Sequence, residues 1–287
     1  MQGVSYSIKS VQAADSAALY TLSAAEGWNQ SEADWLFFIN NAQHKAIASF
    51  EKDRIIGSTT AVCYENRLAW IGMVVVQQAY RGMGIGKSLV QHVLNQLREF
   101  PFIQLDATPM GLPLYQHLGF KEEDSIIRMV NPSVKPVETA SKDSTILEVT
   151  RENISEIVSF DEGVFGVSRH SVIRYLLESC PRISGAIVGN NQLNGFISGR
   201  PGRLFYQLGP VEANQYREAE TLISYALKNL EGKSVVIDLP RDKEKMIDFL
   251  RDNGFTIQRS FSRMYYANEP LKGEKEKLFA IAGPEFG

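Results

Sequence analysis

The chain has 287 residues, of which 44% are apolar, and its formal net charge is −3. That length and apolar content are enough for two domains of ordinary size, each with its own core. The charge gives no basic footprint for nucleic acid or for an anionic membrane surface. The sequence contains no apolar run of about 18 residues and no secretory leader pattern. We therefore expect a cytoplasmic protein that binds neither nucleic acid nor a membrane.

The two cysteines, Cys63 and Cys180, lie far apart, and the four histidines are scattered along the chain. These positions match neither a disulfide framework nor the ligand spacing of a metal site. We therefore expect no metal ion.

The N-terminal third predicts a strand, two helices and three further strands. A short alternating run indicates a strand at residues 6–10, and helical periodicity covers residues 13–26. Ser31 stands as the N-cap of a second helix that extends through Asn40. Turn residues then separate three β-rich runs, at residues 45–50, 55–64 and 68–76. These runs predict a meander of neighbouring strands.

A glycine turn and an amphipathic helix follow the last of these strands. Apolar residues recur at helical spacing from Ile85 onward, beside Gly82, Gly84 and Gly86. Glycines let a ligand approach the backbone closely, and the first N–H groups of a helix lack carbonyl partners and carry the positive end of the dipole. Arg81 adds a cation at the rim. The segment therefore predicts a phosphate-binding turn.

Three phosphate-binding motifs compete for this turn, and their spacing separates them. A Walker A loop requires glycine where Arg81 stands, although Gly86, Lys87 and Ser88 match its end. A dinucleotide-binding turn requires glycine at Lys87. The pattern [QR]-x-x-G-x-[GA] fits, as Arg81, Gly84 and Gly86.

This pattern resembles the coenzyme A pyrophosphate loop of the GNAT superfamily of N-acyltransferases. Residues 102–107 predict the next strand, and residues 113–120, PLYQHLGF, are similar to the tyrosine-bearing helix of that family. The resemblance implies an α/β fold (α+β, with a mixed sheet and helices on both faces) and a catalytic domain at residues 1–131. It also implies that acetyl-coenzyme A (acetyl-CoA) is the acyl donor.

By the same resemblance, two neighbouring segments hold coenzyme A. The backbone N–H groups after Arg81 would take the pyrophosphate, and the preceding strand would pair with the pantetheine amides. An N–H group near Val75 or Val76 would stabilise the negative charge that develops on the attacked carbonyl oxygen. The implied cofactor-binding residues are Met73, Val74, Val75, Val76, Arg81, Gly82, Met83, Gly84, Ile85, Gly86, Lys87 and Ser88.

The resemblance also implies a catalytic tyrosine and a catalytic carboxylate. Tyr115 is the candidate proton donor to the leaving thiolate, and an ordinary packed tyrosine is the alternative. Asp106 and Glu26 are the two candidates for the base that takes a proton from the incoming ammonium, although Asp106 equally suits a turn cap. Trp28 and Asn29 would contact the acceptor; packing of the aromatic side chain onto the sheet is the alternative.

The second half of the chain repeats the first at a constant offset of 135 residues, which maps Gly119 onto Gly254 and Arg128 onto Arg263. A polar segment at residues 132–144 contains two prolines and predicts a linker. Residues 145–287 therefore predict a second GNAT-like domain. This copy is degenerate, because it has no glycine between residues 211 and 231 and places Leu250 opposite Tyr115. We expect it not to bind coenzyme A.

Nearly the whole chain resembles the two-domain GNAT proteins of the YitH type. That resemblance implies that the second domain forms a wall of the acceptor site, with Phe165, Arg169 and Arg200 as substrate-binding residues. Surface ion pairs are the alternative for the two arginines.

Together these patterns and resemblances favour an acetyl-CoA-dependent N-acetyltransferase that works by direct transfer in a ternary complex. We expect a primary amine of a small molecule or of an amino-acid-like compound as acceptor, and a monomer or homodimer. The alternatives are a protein lysine acetyltransferase, a non-catalytic acyl-CoA sensor, and an ATP-binding protein that uses Gly86, Lys87 and Ser88.

Overall fold

The computed structural model describes residues 5–137, 146–150, 153–190, 192–267 and 269–287. Its internal contacts divide the chain into two units. Unit 1 contains residues 1–122 and 264–270, and unit 2 contains residues 123–263 and 271–287. Residues 138–144 of the predicted linker lie outside the described residues.

The helices and strands of unit 1 follow the predicted order. They are β1 (Ser7–Ser10), α1 (Ser16–Ala25), α2 (Glu32–Asn40), β2 (Lys45–Glu51), β3 (Arg54–Tyr64), β4 (Leu68–Val76), α3 (Ile85–Gln96), β5 (Phe102–Ala107), α4 (Leu112–His117) and the first residues of β6 (Phe120–Asn131). The predicted cap of α2 is confirmed, since the Asp34 N–H donates to Ser31 Oγ at 3.3 Å and the Ser31 N–H donates to Asp34 Oδ2 at 2.6 Å. Local sequence therefore determines where these elements begin and end.

The sheet of unit 1 is mixed, as predicted. Strands β1 to β4 are antiparallel neighbours in chain order. After β4 the chain crosses through α3 and returns as β5, which is parallel to β4. A parallel neighbour requires such a crossover, because a tight turn can join only antiparallel strands. The crossover brings the glycine turn to the end of β4.

Helix α3 covers one face of this sheet. Its residues Ile85, Leu89 and Val93 belong to a buried apolar cluster with side chains from β3, β4 and β5. The buried side chains of α1 and α2, Leu22 and Trp35 among them, are not part of that cluster. Alternation along the strands assigns α1 and α2 to the other face.

The core of unit 1 is completed by a segment from the far end of the chain. Strand β12 (Thr256–Tyr266) is a neighbour of β5. Its residue Met264 is fully buried in the α3 cluster, and Tyr266 packs against the same cluster. The ring of Phe120 lies 5.1 Å from that of Tyr266 and 5.8 Å from that of Tyr115. The segment beside the tyrosine-bearing helix thus comes from the second repeat.

The helices and strands of unit 2 begin with the remainder of β6. The others are β7 (Ile146–Glu148), α5 (Ile154–Phe165), α6 (His170–Ser179), β8 (Gly185–Gly189), β9 (Gln192–Pro201), β10 (Tyr206–Ala213), α7 (Tyr216–Asn229), β11 (Val235–Pro240), α8 (Glu244–Asp252), the body of β12, and β13 (Leu278–Ala280). In the sheet, β6 lies next to β11, followed by β10, β9, β8 and β7, with β13 added to β10. Strands β8, β9 and β10 are antiparallel neighbours and β10 is parallel to β11, as the predicted second copy of the fold requires.

The units differ from the predicted domains 1–131 and 145–287 in three places, the first of which is that residues 264–270 belong to unit 1. The later residues of β6 pair with β11, as Asn131 opposite Val235 and Ile126 opposite Pro240, and so belong to unit 2. The predicted linker also starts inside unit 2, because Val134 is 2% exposed and its N–H donates to the Lys233 carbonyl at 3.0 Å. A repeat offset locates equivalent strands, but it does not say which core each strand joins.

No helix in the described ranges is long and apolar enough to cross a membrane.

Truncation of a methionine from the second repeat should destabilise unit 1. Met264→Ala removes a fully buried side chain from its core, so we expect a loss of about 2–5 kcal/mol in free energy of unfolding. Met110→Ala is the matched control, since Met110 is 74% exposed. Denaturant unfolding followed by tryptophan fluorescence measures both variants, because all three tryptophans lie in unit 1. Equal effects of the two substitutions would contradict this description of the core.

Candidate functional site

Strands β4 and β5 pair over only part of their length. The parallel register runs from Leu68 opposite Phe102 to Ile71 opposite Leu105 and ends there. Strand β4 continues for five further residues, to Val76. The last part of β4 therefore has an edge that β5 does not cover.

A bulge in β4 accompanies this separation. The register between β3 and β4 shifts between Ser58 and Thr60, and Met73 has φ +52°, an unusual value for a residue with a side chain. Two buried hydroxyls bond to the carbonyls of the bulge. Ser58 Oγ donates to Met73 O at 3.0 Å, and Thr59 Oγ1 donates to Gly72 O at 3.2 Å. Strand β3 thus supports the bulge through its side chains.

The uncovered edge presents the backbone of Val76. Val76 lies opposite Gly57, and the next residue, Gln77, donates its N–H to Ile56 O at 2.9 Å. Because bonding pairs alternate along an antiparallel ladder, the N–H and C=O groups of Val76 point away from β3. The same alternation directs those of Val74 to this edge. The backbone groups of both valines therefore face the open edge, along which an extended ligand could pair.

The glycine turn brings the uncapped start of α3 to this edge. Gly82 and Gly84 have φ values of +76° and +80°, which glycine adopts without strain, and a Cβ at either position would meet no atom within 4 Å. Gly84 is the N-cap of α3 and has no side chain that could cap the helix. A Cβ at Gly86 would lie 3.7 Å from Val76 Cγ2 and 3.7 Å from Leu114 Cδ2. The turn, the end of β4 and helix α4 therefore meet around Gly86.

The remaining predicted turn residues lie around the same helix start. Met83 is 51% exposed, and Ile85 is buried in the core under the turn. The Lys87 ammonium lies 3.0 Å from His117 Nε2, and the Ser88 hydroxyl accepts a hydrogen bond of 2.9 Å from the Tyr6 hydroxyl.

Arg81 connects the glycine turn to two other parts of the site. Its Nε donates to Val76 O at 3.1 Å, and its guanidinium forms an ion pair with Glu26, at the end of α1. The side chains of Arg81 and Glu26 are 36% and 21% exposed. The candidate cation and one candidate base are therefore partners of each other.

Tyr115 is buried at the position that the resemblance assigns to it. It is 8% exposed and lies in the α3 cluster, against which Val74 and Val76 also pack. Burial raises the pKa of the Tyr115 phenol well above its ordinary value. The phenol therefore stays protonated at every physiological pH. Its pKa differs from that of a thiol by more than the pKa of a tyrosine in water does.

Asp106 lies on the face of the sheet that α1 and α2 cover. Ile103, Leu105 and Ala107 of β5 point into the α3 cluster, so alternation directs Gln104 and Asp106 to the opposite face. Asp106 is half-buried.

Trp28 and Asn29 follow the end of α1. Gly27, with φ +70°, ends that helix, and the Trp28 N–H donates to Ser23 O at 3.2 Å. Asn29 is 4% exposed. These two residues stay candidates for acceptor binding, close in sequence to Glu26.

The corresponding turn in unit 2 is built differently. Helix α7 begins at Tyr216 without a glycine, and Gln215 forms its N-cap. The carboxylate of Glu218 accepts the Gln215 N–H at 2.9 Å, so an acidic side chain already lies at this helix start. A phosphate group would be repelled there.

Unit 2 also fills the gap between its own parallel strands. Strands β10 and β11 pair only as far as Leu208. Beyond it, β13 pairs with β10 at Val211, and Ile281 donates its N–H to Asp238 O at 2.9 Å. Val211 is the position that the repeat offset assigns to Val76. A strand of the chain itself therefore covers the edge that stays uncovered in unit 1.

Arg169 is held inside unit 2 by carboxylates. It is 1% exposed, donates to Asp161 at 2.6 and 3.2 Å and to Glu212 at 3.2 Å, and stacks on the Phe165 ring at 3.7 Å. Burial raises the pKa of the Glu212 carboxyl well above its ordinary value, and neighbouring Asp161 adds to this effect. The guanidinium is therefore balanced within the unit.

Arg200 is likewise 1% exposed and forms a buried ion pair with Glu285, with its guanidinium over the Phe286 ring at 5.2 Å. These pairs are internal, whereas the alternative interpretation placed them at the surface. Acceptor binding by Phe165, Arg169 and Arg200 stays a prediction, and the burial of the two arginines gives it no support.

Among the described residues, no group of three or more His, Cys, Asp or Glu side chains could hold a metal ion.

Comparison with known proteins agrees with this geometry in both halves of the chain. Residues 14–120 match the acetyltransferase (GNAT) family, and residues 157–280 match an acetyltransferase (GNAT) domain. The protein is an acyl-CoA-dependent acyltransferase. The chain belongs to the GNAT family and contains two copies of its fold.

Two curated relatives are each 26% identical. Holothin acyltransferase of Pseudoalteromonas sp. (strain SANK 73390) matches over 92% of this chain and 88% of its own length. The uncharacterized N-acetyltransferase YitH of Bacillus subtilis (strain 168) matches over 66% of both chains.

Two solved structures share the fold over most of the chain. A putative acetyltransferase from Pyrococcus horikoshii has a TM-score of 0.79 at 20% identity, covering 100% of this chain and 97% of its own. A tandem GNAT protein from the clavulanic acid biosynthesis pathway has a TM-score of 0.64 at 13% identity, covering 91% and 98%.

Sequence reasoning missed the bulge at Met73, the hydroxyls of Ser58 and Thr59, and the partner of Arg81. No periodic signal marks a bulge at a residue other than glycine. The run Ser58-Thr59-Thr60 in an otherwise apolar strand was the one available hint of polar contacts there.

Removal of the Ser58 hydroxyl should destabilise the bulge. Ser58→Ala deletes the donor to the buried Met73 carbonyl, and we expect a loss of about 1–3 kcal/mol in free energy of unfolding. Ser224→Ala is the control, because buried Ser224 donates at 2.8 Å to the helical Glu220 carbonyl, which keeps its backbone partner. Denaturant unfolding compares the variants. An equal loss from both would contradict a special role for the Ser58 contact.

Proposed function

We propose that the protein is an N-acetyltransferase that transfers an acetyl group from acetyl-CoA to the primary amine of a small molecule. The observation that carries this proposal is the uncovered edge at Val74 and Val76, next to the uncapped start of α3. An extended pantetheine arm with amide groups suits the first feature, and a pyrophosphate suits the second.

Residues of unit 1 would divide the binding of acetyl-CoA between them. The backbone N–H groups of residues 82–88 would take the pyrophosphate, with Arg81 and Lys87 as cations near it. Val74 and Val76 would pair with the pantetheine amides. The N–H group of Val76 would face the thioester carbonyl, where negative charge develops during attack, because the N–H group of Val75 is directed towards β3. We propose that unit 2 binds no coenzyme A, since β13 and Glu218 occupy the equivalent positions.

The transfer itself needs one proton removed and one supplied. The amine nitrogen attacks the thioester carbonyl carbon, a C–N bond forms, and the C–S bond breaks. Asp106 is the proposed base for the ammonium proton. Its side chain is on the face of the sheet that α1 and α2 cover, and the candidate acceptor-binding residues Trp28 and Asn29 follow α1. Tyr115 would donate to the sulfur as negative charge leaves with it. The raised pKa of Tyr115 favours a hydrogen bond to the thiolate over complete proton transfer.

The comparisons support a small acceptor. The relative that matches over 92% of this chain is named for the acylation of holothin. At 26% identity this likeness does not extend to the acceptor's identity. A protein lysine acceptor stays the alternative, and a screen of small amines against a lysine-bearing peptide distinguishes the two.

Adding one methyl group in the glycine turn tests the binding of acetyl-CoA. Gly86→Ala places a Cβ at ordinary contact distance from Val76 and Leu114, so the fold should tolerate it and the helix should gain about 0.4–1 kcal/mol. Gly163→Ala, in helix α5 with no atom within 4 Å of the added Cβ, is the matched control. We expect Gly86→Ala to lose the stabilisation by acetyl-CoA that the wild type and Gly163→Ala keep.

Thermal unfolding with acetyl-CoA, free coenzyme A, or ATP with magnesium measures this effect. A ligand at about 100 times its dissociation constant stabilises by about 2.7 kcal/mol. Stabilisation of wild type by ATP alone, or equal stabilisation of Gly86→Ala, would overturn the proposed site. Titration calorimetry should give one coenzyme A per chain.

Catalytic roles are tested by two isosteric variants, Tyr115→Phe and Asp106→Asn. Each should lower kcat by about 10²–10⁴ while leaving the dissociation constant of acetyl-CoA unchanged, since general acid and base catalysis contributes a factor of that size. Asp106→Asn should also remove the limb of the pH–rate profile that reports the base. A variant with wild-type kcat would exclude its residue from the proton transfers.

A further inference from the structure

Arg81 bonds to the Val76 carbonyl and to the Glu26 carboxylate. The inference from these contacts rests on the proposed function. Its Nε donates a hydrogen bond of 3.1 Å to the Val76 carbonyl, which lies on the edge proposed for the pantetheine arm. Its guanidinium also pairs with Glu26, which begins the loop carrying Trp28 and Asn29. One side chain thus engages both the donor side and the acceptor side of unit 1.

We propose that Arg81 exchanges Glu26 for the pyrophosphate of the acyl donor, so that bound donor strengthens the binding of the acceptor amine. The exchange releases the Val76 carbonyl for a pantetheine amide and the Glu26 carboxylate for the ammonium group of the acceptor. Glu26 is then a positioning residue that attracts the amine, and Asp106 keeps the role of base.

The surroundings of Glu26 suit a cationic acceptor. Glu26 lines a cleft of about 590 Å³ between α1, the start of β3 and the residues after β4, whose other charged residues are Asp15, Asp53 and Arg54. Gln77, the residue after Val76, lines the same cleft. While Arg81 pairs with Glu26, the charge of that carboxylate is neutralised. Once the pyrophosphate takes Arg81, an ammonium group finds an unbalanced carboxylate there.

The energetics permit the exchange. Arg81 and Glu26 are both partly exposed to solvent, and ion pairs of that kind change a binding constant by only about two- to fivefold. A pyrophosphate carries more negative charge than one carboxylate, and the start of α3 attracts it as well. Competition with Glu26 therefore lowers the affinity for the donor slightly without preventing binding.

The first test measures coenzyme A binding by titration calorimetry in Glu26→Gln. Loss of the competing carboxylate should tighten binding by about two- to fivefold. Removal of any nearby negative charge favours an anion somewhat, so Asp53→Asn, in the same cleft, gives the baseline for that general effect. The proposal requires a larger gain from Glu26→Gln than from Asp53→Asn.

A double-mutant cycle isolates the exchange. In an Arg81→Gln background Glu26 has no arginine to pair with. There, Glu26→Gln should raise the affinity for coenzyme A no more than Asp53→Asn does. Lys87→Gln serves as the comparison background, because Lys87 contacts His117 rather than Glu26. In the Lys87→Gln background, Glu26→Gln should give its full gain in affinity for coenzyme A.

Trp28 supplies a readout that needs no acceptor. It lies two residues after Glu26 and is half-buried, whereas Trp35 and Trp70 are at most 1% exposed. Coenzyme A should change the tryptophan fluorescence of wild type, and Trp28→Phe should abolish the change. In Glu26→Gln the signal should start near the ligand-bound value, because the ion pair is already absent.

Three results would overturn the proposal. They are weaker binding of coenzyme A by Glu26→Gln, a gain no larger than that of Asp53→Asn, and a gain that persists in full in the Arg81→Gln background. The first of these would mean that Glu26 holds Arg81 ready for the pyrophosphate. Failure of wild type to bind coenzyme A at all is a different outcome, which would overturn the proposed function as well.

Discussion

The separation of β4 from β5 beyond Ile71 is the constraint on which the site depends. A regular parallel pair would satisfy the backbone of Val74 and Val76 within the sheet and leave nothing for a ligand. The bulge at Met73 turns the strand, and the hydroxyls of Ser58 and Thr59 satisfy the carbonyls that the bulge removes from the ladder. Buried carbonyls without partners are costly, so the opening depends on side chains of the neighbouring strand.

The two units solve the same backbone problem in opposite ways. Both have a parallel pair that stops pairing early. Unit 1 leaves the edge of β4 without a strand partner from β5, and the N-cap of its helix α3 is a glycine. Unit 2 covers the edge with β13 and places Glu218 at the helix start. Its buried arginines form ion pairs with Asp161 and Glu285. The second copy of the fold thus forms an internally satisfied structure in which a coenzyme A molecule would compete with the chain itself.

The glycine turn could be found in the sequence because its chemistry is local. Strand, glycines, arginine and helix lie within about one supersecondary unit, and each residue type has its own backbone reason to be there. Glu26 and the two buried arginines could not be assigned in this way. Their roles depend on partners distant in sequence, such as Arg81 for Glu26 and Glu285 for Arg200. Charge and spacing alone allow both a ligand contact and an ion pair, and only the fold shows which charged groups lie next to each other.

The sequence by itself determined the repeat, the order of helices and strands, the cap at Ser31 and the phosphate-type turn. Periodicity, capping and glycine conformations depend on a few neighbouring residues and can therefore be recognised in the sequence. Only the tertiary structure decided that Met264 completes the core of unit 1, that β6 joins β11, and that β13 closes unit 2. Strand pairing and core membership are long-range, since an apolar strand is compatible with either core and only packing selects one.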